Sequence, residues 1–259
     1  LEKTAQHPVS RRFEELMEPV TVCHLSQELY TVHPLALQMK LNESRDDQPT
    51  YNEIARMPED EQDLWTEAMN KEIQALVQFK CFEIVNQAKA AGRQIVPCTW
   101  ALKRKRKPDG SLLKYKARLC IRGDRMTEGL REGESVHDSD GYAPVVEWGT
   151  VRLLLTLSIH HSLHTCQADF NNAFVQAPLE RPIYMAMPPG LYGTPEYADK
   201  VLELRQSLYG HKYAAKLFYD LLRTALTKPR NQGGLGFTVS PNDSCLFLRQ
   251  DCIFICWVD

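Results

Sequence analysis

No stretch of 18 uncharged apolar residues occurs in this 259-residue chain, so it carries no candidate transmembrane helix. The N-terminus, LEKTAQHPVS, lacks the apolar run of a signal peptide, and the expected setting is intracellular, cytoplasmic or nuclear, and not secreted. CxxC pairs are missing as well. The 8 cysteines (Cys23, Cys81, Cys98, Cys120, Cys166, Cys245, Cys252 and Cys256) are scattered, which supports neither a disulfide framework nor a zinc ribbon. Most lie in apolar runs and read as small buried hydrophobes. Net charge is nearly absent at −2, and as a total it excludes little.

What is present is a hydrophobic fraction of 43%, enough for a real core in one domain with a tail or in two small subdomains. The charge is also unevenly placed. Arg93 to Arg125 holds 11 Lys or Arg against two acids, Asp109 and Asp124, so a block of local charge +9 sits in an otherwise acidic chain. Such a block is the electrostatic footprint of a phosphate-bearing partner, although a charge run by itself is more often a solvated face.

Residues 1–50 are polar and weakly periodic, with a DDQPT turn signal, and read as a linker or tail ahead of a folded region at 51–259. The segment PEDEQDLWTEAMNKEIQALVQF predicts a helix, with Pro and acids in its first turn. Leu64, Trp65, Ala68, Met69, Ile73, Leu76 and Val77 form its core-facing stripe. VRLLLTLSIHHS reads as a buried helix, and VLELRQSLYGHKYAAKLFYDLLRTALTK as a strand leading into an amphipathic helix. SCLFLRQDCIFICWVD reads as a hairpin around an Arg249–Asp251 turn. Strands and helices mix without regular alternation, so the expected class is α+β with an antiparallel sheet.

The most legible element is TWALKRKRKPDGSLLKYKARLCIRG, where a PDGS turn separates two extended runs. In the second run Leu113, Tyr115, Ala117, Leu119 and Ile121 point one way, while Lys114, Lys116, Arg118 and Arg122 point the other. A strand with one apolar and one cationic face lies on a core and offers its charge outward. Cations with no acids opposite them repel one another unless an anion or solvent screens them, which favours phosphate binding. The KRKRK run could also serve as a nuclear-import signal, a weaker reading inside a strand.

By the sequence two acids end apolar strands, Asp169 in LHTCQAD and Asp259 in CIFICWVD. A carboxylate at the end of a buried strand is costly to ionise unless a cation or donors meet it. Were the two strands neighbours in one sheet, both carboxylates would project at one edge and form an oxygen-rich site suited to Mg²⁺. Spacing alone makes this a weak signal.

The ordered set WTEAMNKEIQAL, KYKARLCIRGDR, YAPVVEWGTVRLLLTLSI, QADFNNAFVQAPLERPIYMAMPPG, SLYGHKYAAKLFYD and WVD resembles the reverse transcriptase domain of copia-type long-terminal-repeat retrotransposons. The resemblance covers about Tyr51 to Asp259. It implies a right-hand polymerase with fingers and palm, the thumb being absent and the domain incomplete at its C-terminus. It places the first metal-binding aspartate at Asp169 and the second at Asp259, with Mg²⁺ as cofactor. It makes Phe174 the ring that blocks a ribose 2′-hydroxyl, although an ordinary core Phe is an equal reading. It makes Lys116 and Arg118 the contacts for an incoming triphosphate, and sets Tyr209 and Gly210 near the nascent base pair. Lys103, Lys105, Lys114 and Arg122 would then meet nucleic acid.

The partners implied are an RNA or DNA primer–template and deoxynucleoside triphosphates, within a parent polyprotein that also carries integrase and ribonuclease H. Nothing indicates the oligomeric state. The chain departs from the family at His211, Tyr213, Lys216, Phe218, Cys120, Ile121 and Trp257, changes that together read as drift. The expectation is a polymerase fragment with little activity of its own. The rivals are a catalytically silent nucleic-acid-binding remnant and a decayed product with no molecular role. The cluster His160, His161, His164 and Cys166 lacks a zinc-like spacing and reads as a helix end leading into a strand.

Overall fold

The computed structural model describes residues 17–19, 47–127, 141–191 and 194–258. In chain order the elements are β1 (Met17–Pro19), α1 (Tyr51–Ile54), α2 (Glu59–Gln78), β2 (Phe82–Asn86), β3 (Ile95–Val96), β4 (Cys98–Arg106) and β5 (Leu112–Ile121). They continue with α3 (Trp148–His160), β6 (Ala168–Phe170), β7 (Pro178–Ala186), β8 (Lys200–Gln206), α4 (Ala214–Thr227), β9 (Thr238–Val239), β10 (Leu246–Arg249) and β11 (Cys252–Ile255). The class is mixed α and β. Strand pairing is antiparallel except between β3 and β7, which run parallel. The chain divides into two compact units, one of Leu1–Ser26, Gly141–Ala173 and Ala215–Asp259, the other of Gln27–Asp140 and Phe174–Ala214.

The second unit holds a four-stranded sheet in the order β2-β8-β7-β3 and the separate β4-β5 ribbon. Its core gathers Trp65 and Leu76 of α2, Trp100 and Leu102 of β4, Ala117, Leu119 and Ile121 of β5, and Met185, Leu202 and Leu204 of the sheet. The α2 stripe survives in part. Trp65 and Leu76 are buried and Ala68, Met69 and Ile73 half-buried, but Leu64 and Val77 are exposed at its margins. A 3.6-residue period gives the direction of a stripe and not its width, and this helix buries the narrower one. Asp47, inside the polar tail by composition, is buried and pairs with Arg106 at 2.8 Å.

The first unit packs α4 and the β9-β10-β11 sheet around Phe218, Leu222, Leu226, Phe237 and Phe247. The loop before β10 ties this unit together. The Asp243 carboxylate accepts from the Glu147 N–H ahead of α3 (3.1 Å) and from the Cys245 N–H (2.9 Å). The neighbouring Ser244 carbonyl accepts from the Tyr219 hydroxyl of α4 at 2.8 Å. Burial pushes the Asp243 pKa up, but the Thr150 side chain and the Cys245 and Glu147 N–H groups outweigh it and hold it below the usual carboxylate value. The Cys256 N–H donates to the Cys245 carbonyl at 3.1 Å, closing the base of the β10-β11 hairpin.

Helix α3 forms where the sequence predicts it, but it is not buried. Leu153, Leu155 and Ile159 are exposed, and Ser158 is its one buried residue. A helix apolar on every side shows no face in its sequence, and hydropathy does not say which neighbours are present to cover it.

Candidate functional site

The β4-β5 ribbon turns at Lys107–Gly110. The Gly110 N–H reaches the Lys107 carbonyl (2.9 Å), Gly110 takes a φ of 84°, and the Asp109 carboxylate accepts from the Ser111 N–H at 2.8 Å. Here the PDGS signal acts as the sequence predicts, because glycine takes a positive φ at no steric cost. Alternation then sorts the side chains onto two faces.

On the inner face Tyr115, Ala117, Leu119 and Ile121 lie on the core beside Trp100 and Leu102. Each arginine that points this way has an acid. Arg104 donates to Glu61 at 2.8 Å and lies 5.7 Å over the Trp65 ring, and Arg106 pairs with Asp47. Tyr115 packs edge-on to Trp65 at 4.7 Å and donates its hydroxyl to Glu61 at 3.0 Å.

The outer face is built differently. Register sets Lys103 opposite Lys116 and Lys105 opposite Lys114, with Arg118 opposite Ala101. Like charges in direct cross-strand pairs repel. Among the described residues Lys105, Lys114, Lys116 and Arg118 form no salt bridge. The Lys116 pKa is lowered, first by burial and then by Arg118, Lys105 and Lys114. Arg122 differs from the others, since Asp124 in the following turn pairs with it at 2.7 Å.

At the open edge of β5 the backbone recruits the segment after β8. The Ile121 N–H donates to the Tyr209 carbonyl at 2.9 Å, and Cys120 bridges Tyr209 in parallel register. Gly210 is required here. Its φ is 79°, a Cβ on it would strike the Ile121 carbonyl oxygen, and one on Gly123 would strike the Gly210 carbonyl. Close apposition of the two backbones sets the Tyr209 ring 4.7 Å from the Arg118 guanidinium, and Phe174 packs edge-on to the same ring at 5.9 Å. Arg118, Tyr209, Gly210 and Phe174, four of the sequence-derived site residues, are thus assembled in one unit, with Lys116 beside Arg118 on the same face. Phe174 is half-buried and packs on the Tyr209 ring.

The acids stand otherwise. Asp169 is exposed at the centre of the three-residue β6, not at the end of a buried strand, so water can solvate its charge. Residues 164–167 ahead of it form no strand, because the apolar run there is too broken by polar residues to pair. β6 pairs with β1, Asp169 standing in register with Glu18, whereas β11 pairs with β10; among the described residues β6 and β11 are not neighbours in a sheet. Asp259 lies outside the described residues. Before it, Val258 is buried and Trp257 packs 6.0 Å from Trp148.

Among the described residues no three His, Cys, Asp or Glu gather as metal ligands, and His160, His161, His164 and Cys166 are exposed. Of the two acids that the resemblance assigns to a divalent ion, Asp169 is the described one, and its carboxylate is a hard oxygen donor. That fits Mg²⁺ in kind, since this ion is commonly held by one or two carboxylates with water and substrate phosphate completing its shell.

The sequence reading passed over Glu72 of α2, which faces Arg118 and Lys116 at the β5 edge. An acid four residues from both Ala68 and Leu76, inside an apolar stripe, was the available signal.

The family model described as reverse transcriptase (RNA-dependent DNA polymerase) matches residues 79–256. The chain belongs to that family. It is 34% identical over 73% of its length to the retrovirus-related Pol polyprotein from transposon RE2 of Arabidopsis thaliana, and 33% identical over 72% to that from transposon RE1 of the same plant. A third relative, the Pol polyprotein from transposon TNT 1-94 of Nicotiana tabacum, is 33% identical over 59% of the chain and is matched over 11% of its own length. The chain spans 12% of the length of each Arabidopsis relative. No solved structure matches the chain. The chain is thus a reverse transcriptase domain of the copia-type retrotransposon kind that its motif order resembles. Among the described residues no helix is long and apolar enough to cross a membrane.

Proposed function

We propose that this reverse transcriptase domain supplies the triphosphate-binding fingers and part of the palm for RNA-directed DNA synthesis within a Pol polyprotein, alongside integrase and ribonuclease H. The observation that carries the reading is the outer face of the β4-β5 ribbon. Among the described residues Lys105, Lys114, Lys116 and Arg118 form no salt bridge there, and Arg118 lies over Tyr209 beside Phe174. Phosphate oxygens satisfy what the protein leaves open there. Arg118 presents a planar fork that can hold two oxygens at once, and Lys116 a compact charge that follows the phosphate chain.

Tyr209 and Gly210 bring an aromatic ring and a bare backbone against the sugar and base of the incoming nucleotide. Phe174, packed on Tyr209, limits the room at the sugar and selects a deoxyribose. Lys103, Lys105 and Lys114 continue the positive face toward nucleic acid, with Arg122 available once it leaves Asp124. Asp169 and Asp259 are the residues that would hold Mg²⁺. When bound, such ions align an attacking hydroxyl with the phosphoryl group and offset the charge that develops on the leaving oxygens.

The test measures binding of a deoxynucleoside triphosphate with and without Mg²⁺, followed by primer extension on an RNA template. The reading predicts Mg²⁺-dependent binding that Asp169→Asn weakens by about tenfold or more, the scale of a lost charge-assisted ligand. Any extension should likewise require Asp169.

A second reading, a nucleic-acid-binding remnant without catalysis, draws on the same face, because those cations need no metal to attract phosphate. It predicts primer–template binding that falls steeply with salt and ignores Asp169→Asn. Mg²⁺-independent triphosphate binding, indifferent to Asp169, would decide for that remnant.

A further inference from the structure

Successive residues of a strand present their N–H groups to alternate edges, so Leu119 and Ile121 face the same edge of β5, the one turned away from β4. Tyr209 occupies the Ile121 N–H. The carboxylate of Glu72, projecting from α2, lies by the Leu119 N–H: burial raises its pKa, and the positive end of that N–H lowers it. Its Oε1 is buried with no hydrogen-bond partner, a costly state for a charged group. Arg118 and Lys116 of β5 face this carboxylate. So do Cys120 of β5, Tyr209 after β8 and Cys81 just past α2. Burial raises the pKa of each of those last three, that of Cys81 to about 12, so near neutral pH they carry no charge. The field at Glu72 therefore comes from Arg118 and Lys116, whose outer face the proposed function assigns to a triphosphate.

We propose that Glu72 is the resident counter-charge of the phosphate cradle, and that a phosphate chain docking on Lys116 and Arg118 makes Glu72 take up one proton from solvent. The inference rests on the function proposed above. Without an anion, the two cations and the Leu119 N–H hold the carboxylate ionised against its burial, and burial already lifts its pKa above the ordinary value. A docked anion neutralises the cations and adds negative potential, while the burial stays the same. The carboxyl then has no reason to remain charged. Glu72 is a positioning residue here: it holds Arg118 and Lys116 in place through charge and does not touch the nucleotide.

The experiment is calorimetric titration of the chain with inorganic tripolyphosphate, free of metal, in two buffers of different ionisation enthalpy. Wild type, Glu72→Gln and Arg118→Ala are compared between about pH 6 and pH 8. Wild type should take up about one proton more per bound ligand than Glu72→Gln. Its affinity should fall with rising pH by up to about tenfold per unit more than that of the variant, the limit for one linked proton. At the alkaline end Glu72→Gln should bind more tightly. Equal proton counts and equal pH slopes in wild type and Glu72→Gln, with Arg118→Ala still defective, overturn the role of Glu72 and leave the cradle standing. Binding that Arg118→Ala does not weaken removes the cradle and the counter-charge together. Should Glu72→Gln fail to fold, proton uptake by wild type alone decides, and net release or no exchange refutes the inference.

Discussion

The two faces of the β4-β5 ribbon share a strand pair, a turn and a run of basic residues, yet they treat charge in opposite ways. Inward, Arg104 has Glu61 and Arg106 has Asp47, and an aromatic pair, Trp65 and Tyr115, closes over the contact. Outward, Lys116 and Arg118 stand among other cations, and the counter-charge that faces them is the edge carboxylate of Glu72. An inward arginine thus contributes to stability, since removing it strands a partly buried acid. An outward one contributes to binding, since the fold gains nothing from crowding like charges.

The contrast is broken most forcefully from the inside. Trp65 is fully buried beneath Arg104 and Tyr115, and Trp65→Ala should cost about 3–5 kcal/mol of stability in denaturant unfolding, the range for large aromatic truncations. Tripolyphosphate affinity, measured where the variant is still folded, should stay within about twofold.

Next in size is His211, at the end of the segment that positions Tyr209. Its Nδ1 lies 3.3 Å from the Ser207 hydroxyl, its Nε2 has no partner, and burial lowers its pKa from 6.5 to about 4. Between those two values the unfolded chain binds more protons than the folded one. Stability is therefore complete above about pH 6.5 and is lost as pH falls toward about 4, by up to about 3 kcal/mol. His211→Leu should flatten that slope in pH-dependent melts and raise stability at neutral pH. An unchanged slope would show that another group carries the acid sensitivity.

The smallest effect belongs to single outer lysines. Lys105→Gln or Lys114→Gln should lower the salt dependence of primer–template binding by about one unit of slope and leave the melting temperature in place. A drop in stability instead would mean that the outer face is structural.

The ribbon was the part of the fold most legible in the sequence, because period-two alternation and a PDG turn encode strand, face and turn in neighbouring residues. Helix α2 was legible for the same local reason. The cradle was half legible. Lys116 and Arg118 announce themselves by alternation, but the approach of Tyr209 and Gly210 depends on backbone bonds across nearly ninety residues, which no local pattern records. The resemblance to copia-type polymerases supplied that partner, and the positive φ at Gly210 explains why glycine stands there. Asp169 was legible as a motif and not as an environment: the apolar letters before it suggested a buried strand, whereas the residue is exposed on a short one. For α3, composition foretold a helix but not its exposure. Glu72 was in plain view as one acid in an apolar stripe, and its meaning depends on which strand the helix lies against.

One comparison of affinities tests the division of the ribbon most directly. Binding of a deoxynucleoside triphosphate is measured for wild type, Arg118→Ala and Arg104→Ala under conditions where all three are folded. The account predicts a loss of about tenfold or more for Arg118→Ala, as for a lost charge-assisted phosphate contact, and a change within about twofold for Arg104→Ala. Equal losses in the two variants, or a loss confined to Arg104→Ala, would contradict it.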